Sequence, residues 1–209
     1  MVQGTVRGRI QGCGAQLSLA GVLLVSASGV VSAEPRTFML DPEHTSITFF
    51  VHHLGFADTA GMFLESTGSF VYDEETQELS DLEVVVQTAS VFTNHEARDE
   101  HLRKADFLNV EAFPEMTFVG TSAEPLSDDH GTVTGELTLL GVTRPVTFEA
   151  TLNRSGSYPY GDEHYAIGVD AAGTIRRSEF GMTYAIEPPL YVGDEIEIRL
   201  GFEAIRQQE

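Results

Sequence analysis

The chain has 209 residues, with 12 Lys and Arg against 32 Asp and Glu, a formal charge of −20 at pH 7. At 42% hydrophobic residues it can build a core, so it is not a wholly disordered chain, and its length suits one domain or one domain plus a processed segment. An acidic balance with a single lysine, Lys104, excludes simple nucleic-acid binding and disfavours anionic membrane surfaces, while the lone Cys13 excludes a disulfide framework and a cysteine-built zinc site.

Residues 1–33 read as a secretory signal peptide. Arg7 and Arg9 give a basic start, Leu17 to Val25 an apolar stretch, and Val31-Ser32-Ala33 small residues before a cleavage point at Glu34. Loss of this segment removes both arginines, Cys13 and no carboxylate, leaving a domain of residues 34–209 with a charge of −22. The general secretory route is the expected path of export.

The domain then alternates with period two. Ile47, Phe49, Val51 and His53 share one face of the first clear strand. Weaker strands are predicted over 62–72 and 82–87. Thr93-Asn94-His95-Glu96 has the form of a capping box, opening a helix to about Lys104, with Asp99–Arg103 and Glu100–Lys104 at ion-pair spacing. Phe107, Leu108 and Phe113 follow on an irregular stretch. Strands resume over 116–122, at Val133–Leu139, at Val146–Asn153 and, after a loop over 154–163, at Tyr165–Val169. In the last strand Ile196, Ile198, Leu200, Phe202 and Ala204 oppose Glu195, Glu197, Arg199 and Glu203. About eight such strands without helical crossovers predict an all-β fold: an eight-stranded antiparallel barrel with one short helix near its end. A two-sheet sandwich is the alternative. The polar strand faces argue against an outer-membrane barrel, which faces lipid.

Chemistry-bearing motifs are few. His95-Glu96-Ala97-Arg98-Asp99 has Asp where a zinc-binding helix needs its second His, and the spacing of His95 and His101 puts them on different helix faces. No metal or cofactor is expected there. His44 beside Asp41 reads as a turn-stabilising pair, and His53 as the lumen-facing member of the His52-His53 pair. Neither a G-x-S-x-G nor a glycine-rich phosphate loop occurs. No catalytic residue is assigned, and an enzyme is not expected. Arg98 beside aromatic residues ties the helix to the rim or meets a polar head group.

Several stretches together resemble the YceI-like family of polyisoprenoid-binding, lipocalin-like proteins. They are Asp41-Pro42-Glu43-His44-Thr45-Ser46-Ile47-Thr48-Phe49, the run from Thr93 to Asn109, Phe113-Pro114-Glu115-Met116-Thr117-Phe118, Gly141-Val142-Thr143-Arg144-Pro145-Val146, and Arg177-Ser178-Glu179-Phe180-Gly181-Met182. The resemblance spans about residues 37–206. It implies an extended barrel with an isoprenoid lipid such as ubiquinone or a polyprenyl chain in its lumen, periplasmic export and often a homodimer; a membrane protein that uses quinone is then a natural partner.

The expected function is therefore that of a carrier or sequestering protein for a long isoprenoid. The expected ligand-binding residues are Phe49, Val51, His53, Phe63, Arg98, Phe118, Leu137, Leu139, Phe148 and Phe202, with Arg98 and His53 toward the head group. The rival readings are an enzyme acting on an apolar substrate in the same pocket, and a ligand-free barrel with a structural or stress-protective role.

Overall fold

The structure, a computed structural model, describes residues 34–188 and 190–208. The signal-peptide segment lies outside them. Ten strands and one helix follow in order: β1 (Arg36–His53), β2 (Ala57–Phe63), β3 (Ser66–Asp73), β4 (Glu78–Gln87), β5 (Val91–Phe92), α1 (Glu96–Leu102), β6 (Glu115–Pro125), β7 (His130–Leu139), β8 (Val142–Ser157), β9 (Tyr165–Arg176) and β10 (Val192–Arg206). They form one sheet that closes on itself where β10 pairs antiparallel with β1, from Phe38↔Arg206 to His53↔Val192. Closure removes the free edges of an open sheet.

The ten strands occupy eight positions around the barrel. β2 and β3 share one, since both pair antiparallel with the same long β1, at Ile47↔Phe63 and at Arg36↔Tyr72. β4 and β5 share another, pairing with β3 and β2 respectively. The predicted single strand over 62–72 is therefore broken at Leu64 and Glu65. The cause is Ser90, whose hydroxyl accepts from both Leu64 N–H and Glu65 N–H at 3.1 Å. These amides leave the sheet ladder to meet the turn that links β4 to β5.

β1 carries a bulge. Its register with β10 shifts between Leu40 and Thr45, where Asp41 organises a tight turn. Its carboxylate accepts from Glu43 N–H at 3.0 Å and meets His44 Nδ1 at 2.7 Å, and its carbonyl accepts from the Thr45 hydroxyl at 2.6 Å. A bulge of this kind bends the strand, as a closed barrel requires.

Inside, two apolar clusters occupy opposite ends of the lumen. One gathers Val91, Leu137, Leu139, Phe148, Ile175 and Phe180. The other gathers Phe38, Phe70, Ile167 and Ala204. Two inward glycines make room for rings: a Cβ on Gly61 would stand 2.2 Å from Phe49 Cζ, and one on Gly135 2.4 Å from Phe118 Cζ. Outside, Glu83, Glu136, Glu149 and Glu195 are exposed on the strands, and threonines pair across β7 and β8, Thr134–Thr147 at 2.8 Å and Thr138–Thr143 at 2.9 Å. Among the described residues no helix is long and apolar enough to cross a membrane.

α1 sits at one end, as predicted, but its cap differs. The N-cap is His95, whose Nδ1 accepts from Arg98 N–H at 3.2 Å. Thr93 does not play that role: its amide and hydroxyl donate to the buried Asp99 carboxylate, and the hydroxyl accepts from Arg98 Nε. Asn94, at φ 59°, turns the chain between them. The predicted Asp99–Arg103 pair gives way for the same reason: Arg103 donates instead to the carbonyls of Ala89 and Val91, both at 2.8 Å.

Candidate functional site

The lumen holds a cavity of about 590 Å³, within the range of small-molecule sites. It runs the length of the barrel. Its wall includes His53, Leu54, His101 and Tyr184 at the α1 end, and Gln77, Asp128, Asp129 and His130 at the far end. Between them the wall is almost wholly aliphatic and aromatic.

Strand pleating explains why. Alternate residues of β1, β7 and β10 point inward, so Phe49 and Val51, Leu137 and Leu139, and Ile196, Ile198, Leu200 and Phe202 face one space. Phe49 and Phe63 lie with ring centroids 5.6 Å apart. Phe118 and Phe148 meet edge to face at 5.3 Å, and Phe202 meets Phe70 in the same way at 6.3 Å toward the far end. Such pairs add to the stabilisation from burial alone.

All ten residues singled out from the sequence lie on this wall, but not in equivalent places. Phe49, Val51, Phe63, Phe118, Leu137, Leu139 and Phe148 line its middle and α1 half, and Phe202 stands near the far end. His53 closes β1 at the mouth and is solvent-exposed. Arg98 also stands at the mouth, yet its guanidinium is already engaged: Nε donates to the Thr93 hydroxyl and an Nη to the Thr93 carbonyl, both at 2.7 Å. It ties α1 to the barrel rim.

Sequence reasoning missed Arg177. It is 1% exposed and borders the cavity, as the first residue of the 3₁₀ turn that follows β9. Nε donates to the Gly193 carbonyl, one Nη to those of Met182 and Tyr184, and the other to that of Val192, all at 2.8–2.9 Å. Burial pulls its pKa below the ordinary guanidinium value, and the nearby Asp194 partly restores it. The parity of β9 gave the signal, since Arg177 continues the inward series of Val169, Ala171 and Ile175. His101, Tyr184 and Leu190 had no such signal, lying in a helix and in a loop without periodicity. His101, Phe107 and Tyr184 form a mutual edge-to-face trio with centroids 5.0–5.3 Å apart, and His101 Nε2 meets Asp106 at 2.8 Å.

Away from the cavity, one group among the described residues brings three ligand-type atoms within 4.8 Å of one another: Asp41, His44 and Glu203. It lies on the β1 bulge and includes neither His95 nor His101. Asp41 and His44 satisfy each other within the turn, as the sequence suggested.

The arrangement is suited to holding an extended apolar chain along the barrel axis, with polar groups available only at its ends. Comparison with known proteins agrees in fold. The YceI-like domain family matches residues 38–204. Protein YceI of Salmonella arizonae is 37% identical over 188 residues, which cover 89% of this chain and 94% of that protein. The crystal structure of the Campylobacter jejuni YceI protein superposes with a TM-score of 0.65 at 28% identity, covering 76% of this chain and 90% of that one. A polyisoprenoid-binding domain from Saccharophagus degradans, implicated in plant cell wall breakdown, superposes with a TM-score of 0.62 at 12% identity, over 83% of this chain and 100% of that one.

Proposed function

The chain belongs to the YceI-like family, and from that premise we propose that it is a binding protein which carries or sequesters a long isoprenoid lipid, of the quinone or polyprenyl type, in the barrel lumen. The single observation that carries this reading is the continuous apolar cavity along the whole barrel. Each methylene moved from water into such a space stabilises the complex by about 0.8 kcal/mol. Affinity can thus come from chain length with few polar contacts. The Saccharophagus degradans domain, named for binding polyisoprenoids, supports the ligand class. The inward phenylalanines and leucines of β1, β6, β7 and β8 are the proposed contacts for the chain, and His53 and Arg98 at the mouth lie where a head group would rest. The basic, apolar and small-residue pattern of residues 1–33 supports export to the periplasm, where such a carrier would move lipid between membranes or protect it. A membrane protein that uses quinone is the proposed partner. A binding role, with no catalysis, suits a wall that offers so few polar groups.

Native mass spectrometry of gently purified protein, followed by organic extraction, tests this. The expected result is one prenyl lipid per chain, or stoichiometric uptake of added ubiquinone that falls sharply in Leu137→Gln. An empty protein that takes up neither ubiquinone nor a polyprenol would overturn the reading.

A further inference from the structure

The α1 end of the barrel exposes more than the cavity. Phe56 is 88% exposed and Leu190 56%, with Leu54, Tyr184 and Tyr191 between 39% and 43%. They come from two segments, the turn between β1 and β2 and the stretch before β10, that are held together by a hydrogen bond from Leu54 N–H to the Tyr191 carbonyl at 2.9 Å. Leu54, Tyr184 and Leu190 also border the cavity, so this apolar patch is the rim of its opening. Scattered exposed apolar residues are ordinary; a set gathered around a cavity mouth marks a contact surface.

The turn carries a second sign. Phe56 N–H donates to the His53 carbonyl at 3.0 Å, with Leu54 at φ 52° and Gly55 at φ 76°. Those left-handed positions favour Asn followed by Gly. A leucine there is strained, and it places an apolar side chain at a solvent-exposed tip against the local preference.

We infer that this rim seats on a neutral, zwitterionic bilayer surface, so that the cavity opens onto the membrane. The inference rests on the isoprenoid reading of the cavity, because a ligand of that kind resides in membranes and its transfer needs contact with them. Phe56 and Leu190 supply side chains that enter the acyl boundary, and the two tyrosines supply the amphipathic rings that favour the head-group level. Charge selects the kind of bilayer. The chain is at −20, and exposed Asp58, Glu96, Asp106 and Glu187 stand on the segments around the mouth. An anionic surface repels them.

Flotation of the purified protein with phosphatidylcholine vesicles, and with vesicles enriched in phosphatidylglycerol, tests the inference. The protein is expected to float with the first, and with the second only as added salt screens the repulsion. Phe56→Asp combined with Leu190→Asp is expected to lower partitioning at least about tenfold, with the fold intact because Phe56 is 88% and Leu190 56% exposed at the rim. Leu54→Asn is expected to raise the melting temperature while weakening flotation. Failure to float with either vesicle, or flotation unchanged in the double variant, would overturn it. So would a dimer that the double variant returns to monomer with vesicle binding untouched, an outcome assigning the rim to a second copy. Uptake of ubiquinone from detergent micelles, measured in parallel, separates the two readings. Uptake without flotation overturns docking and leaves the lipid site standing. Flotation without uptake supports docking and counts against the lipid site.

Discussion

At the scale of single residues, the two mouth arginines both brace the frame. Arg98 spends two nitrogens on Thr93. Arg177 collects four carbonyls from the segments on either side of the loop before β10. Two of these bonds are buried and two part-buried, and together they fix the loop that carries Tyr184 and Leu190. Arg177→Met is expected to destabilise the fold by roughly 3–5 kcal/mol, the scale for removing one partner of a buried charged network. Arg177→Lys should recover only part of this, since one ammonium cannot span four acceptors in a plane. Urea denaturation measures both; a loss below about 1 kcal/mol in the Met variant would show the network to be dispensable. The legible part of the site follows the same logic. Period-two parity placed Phe49, Leu137 and Phe202 inward because a pleated strand has only two faces. It would have placed Arg177 as well, had a charge been allowed on an apolar face. Tyr184 and Leu190 were illegible because loops carry no period.

At the scale of elements, the departures from the sequence reading are cases of a side chain outcompeting a local rule. A capping box at Thr93 is sound chemistry until Asp99, a turn away and buried, claims the same hydroxyl. A strand through Leu64 is sound until Ser90 claims two of its amides. Neither competitor is visible from local spacing, because each depends on where the barrel brings distant segments. The β1 bulge was legible as a turn from Asp41 and His44, and it yields a pH prediction. The hydrogen bond that His44 donates to the Asp41 carboxylate is the main cause that raises the His44 pKa above its ordinary 6.5. Its contribution to stability is therefore full below 6.5 and is lost as pH rises through the raised value. Burial tends to raise the Asp41 pKa, but His44 and the Glu43 amide outweigh it, and the pKa lies below its ordinary 3.8. That contribution is present above 3.8 and lost as pH falls through the lowered value. The melting-temperature deficit of His44→Gln should thus be largest between about pH 4 and 6.5 and shrink on either side. A deficit constant from acid to alkaline pH would count against the pair.

At the scale of the whole molecule, the charge that first served to exclude nucleic acid acquires a location. Acid lies on the outer strand faces, and the described ion pairs across neighbouring strand residues, such as Arg176–Glu195 and Arg199–Glu197, engage only a small part of it. The inside is apolar and the outside repels itself, which keeps the protein soluble and costs stability in the compact state. Salt should relieve that cost. Because the Debye length falls from about 30 Å at 0.01 M to about 8 Å at 0.15 M salt, most of the relief should come within this first interval. The expected result is a melting temperature that climbs steeply over low sodium chloride and then flattens, at about 2–4 °C for each kcal/mol regained in a domain of this size. The shape of the curve is what discriminates. General salt exclusion from protein surface would give a rise that continues in proportion to concentration into the molar range and is stronger with sulfate. Screening gives early saturation and depends on ionic strength, not on the identity of the anion. A flat or falling melting temperature across the low-salt interval would show that the acidic face is not a source of strain in this barrel.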